Sequence, residues 1–297
     1  LGNIEEMKLV TFDVGGKIGA GYLDGDQIVV CADGPDAGRA ILTLIESGAG
    51  AAAWEKRGAG GAARIAAQDA RLLAPIPQPI RNIFCVGKNY YAHANEFHSS
   101  GFDSSGKEAV PAAPIMFTKA TTSVVGPDDI VLGSLDHTNS VDYEGELGVV
   151  IGQRSFQVAK ADAYDHVFGY VIINDVTSRE LQRHHNQWLV GKSLDTFCPM
   201  GPYIVTADEA GDVTKMVLET RVNDEVRQHA SVADLIFDIP TVIETMTATM
   251  TMLPGDILAT GTCDGVGIGY SPPKFLQKGD RMSVRITGLG ELNNTIG

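Results

Sequence analysis

Residues 141–152, VDYEGELGVVIG, constrain this chain more than any other stretch. Read as a strand, the alternation sends Asp142, Glu144 and Glu146 to one face and Val141, Tyr143, Leu147 and Val149 to the other. Carboxylates are poor strand formers, and neighbours on one face repel each other. Such a face needs either open water, as on an edge strand, or a cation. The apolar continuation at 147–151 runs toward an interior, which disfavours water. A hard divalent ion, Mg²⁺ or Mn²⁺ with Ca²⁺ also compatible, binds carboxylate oxygen and would remove the repulsion. The pattern alone leaves both answers open, so further ligands have to come from elsewhere in the chain.

A chain of 297 residues, 44% hydrophobic and 20% charged, can bury a large core. Its net charge of −14 disfavours nucleic acid and anionic membrane surfaces as partners, and it obliges local cations to capture any anionic substrate. No apolar run reaches the roughly 18 residues of a membrane span, and the opening LGNIEEMKLV lacks a signal-peptide core. A cytoplasmic location is therefore expected, with residues 1–6 read as a leader before a natural start at Met7. Cys31, Cys85, Cys198 and Cys263 are scattered without a CxxC pair and read as reduced thiols, neither disulfides nor zinc ligands.

Residues 7–33 read as short strands turning at Gly15-Gly16 and Asp24-Gly25. Residues 36–70 are rich in Ala and Gly, with helical periodicity at Ile41, Leu44 and Ile45. The prolines of LLAPIPQPI mark a stiff linker and divide the chain near residue 76 into a small N-terminal α+β domain, 1–76, and a larger part, 77–297. In the larger part, 82–87 and 114–119 read as strands, and the near-continuous apolar run 167–174 as a buried one. LETRVNDEVRQ reads as a hairpin turning at Asn223-Asp224, and Ile239, Val242, Ile243 and Met246 as the core stripe of a helix. Residues 98–113, rich in Ser, Gly and Ala, are expected to form a lid.

Within this frame a few residues carry chemistry. His93 and Glu96 are i, i+3 neighbours on a helix, so the carboxylate can orient the imidazole and raise its basicity, as a general base requires. An exposed helix pair is the commoner origin of a His-x-x-Glu. Asp175 ends the buried strand and is the candidate third carboxylate. Thr177 with Glu180 reads as a capping box opening a helix from 178 to about 188, which argues against Asp175 being merely a cap. On that helix Arg179 and Gln182 lie one turn apart on one side, while His184 and His185 take other faces and read as surface residues. Lys192, in LVGKSLDTF, would stay charged beside three carboxylates and could stabilise an enolate or oxyanion. TGTCDGVGIG has neither GK[ST] nor a dinucleotide spacing. It reads as a loop whose backbone N–H groups could bind a carboxylate, with a hydroxyl from Thr260 or Thr262.

Five stretches, GKNYYAHANEF, VDYEGELGVVIG, INDVTSRELQ, GKSLDTFCPMGP and LATGTCDGVGIG, occur in this order between Asn82 and the chain end. In them the chain resembles the fumarylacetoacetate hydrolase family. The resemblance implies an α+β, mostly β fold: a mixed β-roll catalytic domain, paired as a homodimer, with one divalent metal. By position it implies Glu144, Glu146 and Asp175 as metal ligands and His93 with Glu96 as the water-activating pair. Lys192, Arg179, Gln182 and Thr262 match substrate-contacting positions, and Lys88, where several relatives carry Arg or Leu, is counted with them. The implied reaction is hydrolytic C–C cleavage of an acylpyruvate-type 2,4-diketo acid, a small anionic 2-oxo acid, to a carboxylic acid and pyruvate. Tautomerisation, isomerisation or decarboxylation of 2-oxo acids through the same enolate is the alternative. A non-enzymatic metal-binding domain is a third reading, against which the intact acid–base set argues.

Overall fold

Strand Val167–Asn174 is buried along nearly its whole length, as its apolar run requires, and lies in the middle of a sheet. The computed structural model describes residues 7–103 and 108–297. The leader reading for 1–6 and residues 104–107 of the expected lid lie outside the described residues. Val167–Asn174 is flanked by antiparallel Cys198–Thr206 and Gly145–Ile151. Beyond Gly145–Ile151 come antiparallel Ile257–Thr262, then Ile83–Gly87, parallel to it, and Ile115–Lys119 at the edge. On the other side lie Lys8–Val14, Lys17–Asp24, Gln27–Asp33 and Arg64–Ala66, and with Arg71–Leu72 paired to Lys8–Val14 and Val124–Val125 to Cys198–Thr206 they complete a mixed, 12-stranded sheet. A second, 5-stranded sheet holds the hairpin Val217–Val222 and Glu225–Ser231 with Arg281–Ile286, Gly290–Ile296 and Ile130–Val131. The chain is α+β and mostly β.

The period-2 alternation of the central strands feeds two cores at once. Leu147, Val149, Tyr170 and Ile172 point to one side, where they meet Leu218, Val284 and the helix Ile239–Thr247 through its stripe Ile239, Val242, Ile243 and Met246. Val150, Val171 and Ile173 point to the other and meet Leu9, Val29 and helix Ala40–Glu46 through Ile41, Leu44 and Ile45. Each such side chain contributes roughly 1.5–3 kcal/mol on burial, so the strands that carry the acids are firmly seated. The hairpin turns form at Gly15-Gly16 and Asn223-Asp224 as expected, and the one expected at Asp24-Gly25 lies one residue later, at Gly25-Asp26, because Asp24 still pairs with Gln27. The proline-rich segment around the division expected near residue 76 buries Ala74 and Ile76 in the second core, and Lys8–Val14 hydrogen-bonds to Cys198–Thr206. All four cysteines are free and buried. Among the described residues no helix is long and apolar enough to cross a membrane.

Three local expectations need correction. The acidic stretch is not one strand: Val141–Asp142 pairs with Thr177–Ser178, and Gly145–Ile151 starts afresh between two other strands. Side chains cause the break. Asp142 accepts from the Tyr143 N–H at 2.9 Å, and the Glu144 N–H goes to the Asn174 side-chain oxygen at 3.0 Å instead of to a ladder carbonyl. The edge-strand alternative falls with it, because Asp142, Glu144 and Glu146 are all buried. The helix expected from 178 to about 188 ends at His184, and after Asn186 adopts φ 56° a separate short helix, Leu189–Lys192, follows. Finally, the Thr177–Glu180 capping box does not form. Thr177 donates to the Asp175 carbonyl at 2.8 Å, while the Glu180 N–H is taken by the hydroxyl of Ser140, the residue just before Val141–Asp142, at 3.0 Å.

Candidate active site

The register of two central strands assembles the acids. Gly145 lies opposite Asn174, so Glu144 and Glu146 flank the point at which the chain leaves the sheet at Asp175. The Asp175 N–H closes the corner on the Glu144 carbonyl at 2.8 Å. One carboxylate oxygen from each of Glu144, Glu146 and Asp175 lies within 4.8 Å of the others, and all three residues are buried.

Three buried cations answer them. Lys192 Nζ donates to Glu144 Oε2 and to Asp175 Oδ2, each at 2.7 Å. Arg179 binds Glu144 Oε1 through Nη1 at 2.6 Å and Asp142 Oδ2 through Nε at 2.8 Å, and Gln182 Oε1 accepts from Nη1 at 3.3 Å. Lys119 binds Asp175 Oδ1 at 2.6 Å, the Val176 carbonyl at 3.0 Å and the Lys192 carbonyl. The remaining nitrogen of Arg179, Nη2, is buried and has no hydrogen-bond partner among the described residues. A buried guanidinium N–H left unpaired is costly unless a ligand completes it.

These groups face one narrow cleft, whose lining includes Lys88, His93, Glu144, Glu146, Arg179, Gln182, Lys192 and Thr262. Phe97, Phe117 and Trp188 form its apolar wall, with Trp188 edge-on to both phenylalanines. His93 sits on helix Tyr91–Ser99, its Nδ1 3.2 Å from Glu96 Oε2 and its ring stacked on Phe97. Glu96 is held in turn by the Gly265 N–H, 3.0 Å from Oε1. Lys88 is committed to Asp103 Oδ2 and to the Glu108 carbonyl, both at 2.9 Å. The Thr262 hydroxyl donates to the Gly145 carbonyl at 2.9 Å and accepts from Gln228 at 2.7 Å, and that of Thr260 donates to Leu147. The glycine-rich loop does bind carboxylates through its N–H groups, and they are the chain's own: Gly261 to Glu146, Gly265 to Glu96, and Gly267 with Ile268 to Asp142. His184 and His185 are exposed, as expected.

Electrostatics single out Glu146. Burial opposes ionisation of Glu144, but Lys192 and Arg179 outweigh it and hold this carboxyl below its usual range. Glu146 is driven the opposite way, well above the usual range, by burial and then by repulsion from Asp175 and Glu144. Lys192 and Arg179, against the pull of burial, are held charged by their acidic neighbours. Fully ionised, four carboxylates (Asp142, Glu144, Glu146 and Asp175) would face three cations (Lys119, Arg179 and Lys192) with one negative charge in excess, and retention of the Glu146 proton is what removes it in the metal-free site. An all-oxygen, anionic donor set of this kind fits a hard divalent ion, which would turn the excess positive and favour an anionic ligand.

Sequence reasoning missed several participants. Lys119 and Asp175 are 56 residues apart in the chain, and a lysine ending an apolar strand was the available signal. Gln228, fully buried, accepts from the Gly145 N–H at 3.0 Å and donates to Thr262 and Cys263, tying the acidic strand to the second sheet; nothing local marks it. Asp142, placed by alternation on the face of the metal-type acids, instead serves Arg179.

Fold and site together define a fumarylacetoacetate hydrolase-type protein. The family model "Fumarylacetoacetate (FAA) hydrolase C-terminal" matches residues 82–297, and the chain belongs to that family. Over 230 residues, 77% of this chain and 74% of the relative, it is 50% identical to the oxaloacetate tautomerase YisK of Bacillus subtilis (strain 168). Among solved structures it is similar to the fumarylacetoacetate hydrolase EaFAH of psychrophilic Exiguobacterium antarcticum, with TM-score 0.81, 38% identity and coverage of 98% and 99% of the two chains. The maleylpyruvate hydrolase of Sphingobium sp. SYK-6, solved with manganese(II) and pyruvate, superposes with TM-score 0.77 at 32% identity over 98% of each chain. Members of the family are thus enzymes that include a tautomerase and hydrolases.

Proposed function

We propose that this chain is a divalent-metal-dependent enzyme acting on a small anionic 2-oxo acid. The reaction is keto–enol tautomerisation of a short 2-oxo diacid of the oxaloacetate type. The observation that carries this reading is the buried, unpartnered Nη2 of Arg179 beside Lys192, on a cavity that also holds the His93–Glu96 pair. An anion is what those donors call for. When bound, Mg²⁺ or Mn²⁺ held by Glu144, Glu146 and Asp175 would supply Lewis acidity toward a carboxylate and the adjacent 2-oxo oxygen.

The chain's own residues do the rest. Arg179 and Gln182 orient the substrate carboxylate, using the free Nη2. Lys192 stabilises the negative charge that grows on the 2-oxo oxygen as C3 loses its proton. His93 moves that proton. With Nδ1–H donated to Glu96, Nε2 is the atom left to accept it. The aromatic wall keeps bulk water from competing.

Acylpyruvate hydrolysis stood first on the sequence, and the 50% identity to a tautomerase now puts proton transfer ahead of it. Hydrolysis remains the second reading because the same His93–Glu96 pair can activate water. The homodimer, the Mg²⁺ or Mn²⁺ requirement and the cytoplasmic location belong to this proposal as well; sedimentation and elemental analysis read the first two. The deciding experiment follows the enol absorbance of oxaloacetate and the diketo absorbance of an acylpyruvate panel, with Mn²⁺ and with chelator. Faster enol decay alone supports the first reading, and acylpyruvate cleavage alone the second. No acceleration of either at saturating metal sinks both.

A further inference from the structure

The acidic stretch has two halves with different work. Glu144 and Glu146 supply ligand-type oxygens, whereas Asp142 is not among the residues lining the cavity. Fully buried, Asp142 meets only donors in its hydrogen bonds. Oδ2 accepts from Arg179 Nε at 2.8 Å and from the Ile268 N–H at 3.2 Å, and Oδ1 from the N–H groups of Gly267 at 2.7 Å and Tyr143 at 2.9 Å. The next residue, Tyr143, also buried, donates its hydroxyl to the Gly265 carbonyl at 2.8 Å. Two consecutive side chains therefore grip the glycine-rich turn at 264–269.

That turn touches the proton-transfer pair. The Gly265 N–H donates to Glu96 Oε1 at 3.0 Å. A Cβ on Gly269 would come within 1.7 Å of the same oxygen, so any larger residue there must displace the carboxylate that orients His93. Gly265 itself has φ +95°, and a Cβ would lie 1.8 Å from the Arg227 carbonyl. The turn is thus built to pass close beneath Glu96, and Asp142 holds it there.

We propose that Asp142 is a positioning residue that couples the two ends of the site. It clamps Arg179 by Nε, leaving Nη2 for the ligand, and through the 264–269 turn it holds Glu96 against His93. This inference rests on reading the cavity as a 2-oxo acid site. A carboxylate is required because each of the four groups it meets donates. An asparagine of the same shape has one acceptor oxygen, and its NH₂ must face at least one of those donors.

The test compares wild type, Asp142→Asn, Tyr143→Phe and Gly269→Ala by amide hydrogen exchange, by oxalate titration with Mn²⁺ present, and by kcat and KM. In Asp142→Asn, exchange should quicken at Gly267 and Ile268 and also at Gly265, whose partner is Glu96. Oxalate affinity and kcat should each fall about 10–100-fold, the usual effect of losing a group that orients a site residue, while Mn²⁺ affinity changes far less. Tyr143→Phe and Gly269→Ala leave the Arg179 clamp intact and should lower kcat with oxalate affinity and KM near wild type. This split distinguishes positioning from a general loss of structure, and it remains readable if Asp142→Asn does not fold. Wild-type exchange at Gly265 in both Asp142→Asn and Tyr143→Phe overturns the proposal, as does an unchanged kcat in all three variants. A wild-type protein that neither binds oxalate nor turns over 2-oxo acids overturns the site reading instead, and exchange at Gly265 still decides the clamp.

Discussion

Replacing Glu146 with Gln should stabilise the metal-free protein at neutral pH and abolish its response to divalent ions. Glu146 is 1% exposed and takes one backbone hydrogen bond, from the Gly261 N–H at 2.8 Å, which a glutamine oxygen can keep. Burial and then Asp175 and Glu144 hold its carboxyl well above the usual range. In the unfolded chain a glutamate releases its proton near pH ~4.3. The folded, metal-free protein keeps that proton to a much higher pH. Over the window between, the native state binds the extra proton, so its stability falls as pH rises, by about 1.4 kcal/mol per pH unit. Below the unfolded value no such loss exists. Glutamine cannot ionise, and the variant should lack this slope. From about pH 5 to pH 7 the two curves should therefore diverge by up to about 3 kcal/mol. Urea denaturation in chelator reads this directly. With Mn²⁺ at about 100 times its Kd, the wild type should regain about 2.7 kcal/mol and the variant far less. Parallel stability–pH curves, or equal stabilisation by Mn²⁺, would refute the assignment of the retained proton to Glu146.

Other substitutions separate the remaining roles. His93→Ala should lower turnover by roughly 10²–10⁴-fold, the usual worth of a positioned acid–base group, while Mn²⁺ and oxalate titrations stay near wild type; wild-type turnover would remove His93 from the chemistry. Lys192→Ala should weaken oxalate binding and turnover together, since its ammonium would meet the oxyanion directly, and a loss of kcat with intact oxalate affinity would contradict that contact. Lys119→Met leaves the fully buried Asp175 without one of its two ammonium partners and should cost about 3–5 kcal/mol in urea denaturation. A cost below about 1 kcal/mol would mean that Lys192 alone suffices.

Most of the candidate site was legible because its signals are local. Glu-x-Glu before an apolar run, an aspartate ending a buried strand, and a histidine three residues before a glutamate each declare themselves within a few positions. The strand alternation that placed Leu147 and Val149 on one face holds in the core, where apolar burial enforces it. The Ile239–Met246 stripe and the Asn223-Asp224 turn were readable for the same reason: periodicity and turn chemistry are properties of neighbouring residues.

What the local signals could not reach is who satisfies whom across the fold. Alternation put Asp142 beside Glu144 and Glu146, yet the strand breaks at Tyr143 because the Asn174 side chain takes the Glu144 N–H. Asp142 then serves Arg179, 37 residues away. Thr177 and Glu180 had the spacing of a capping box, but Ser140, brought alongside by the Val141–Asp142 bridge, took the N–H first. Lys119 is invisible as a partner of Asp175 until two strands of one sheet end at the same place. By itself, the sequence pointed to the three clustered acids, to Lys192 and Arg179 and to the His93–Glu96 pair, but not to Lys119. The tertiary structure decided how their charges pair, because a buried polar group takes whichever partner the packed backbone brings within about 3 Å, and that distance has no periodicity along the chain.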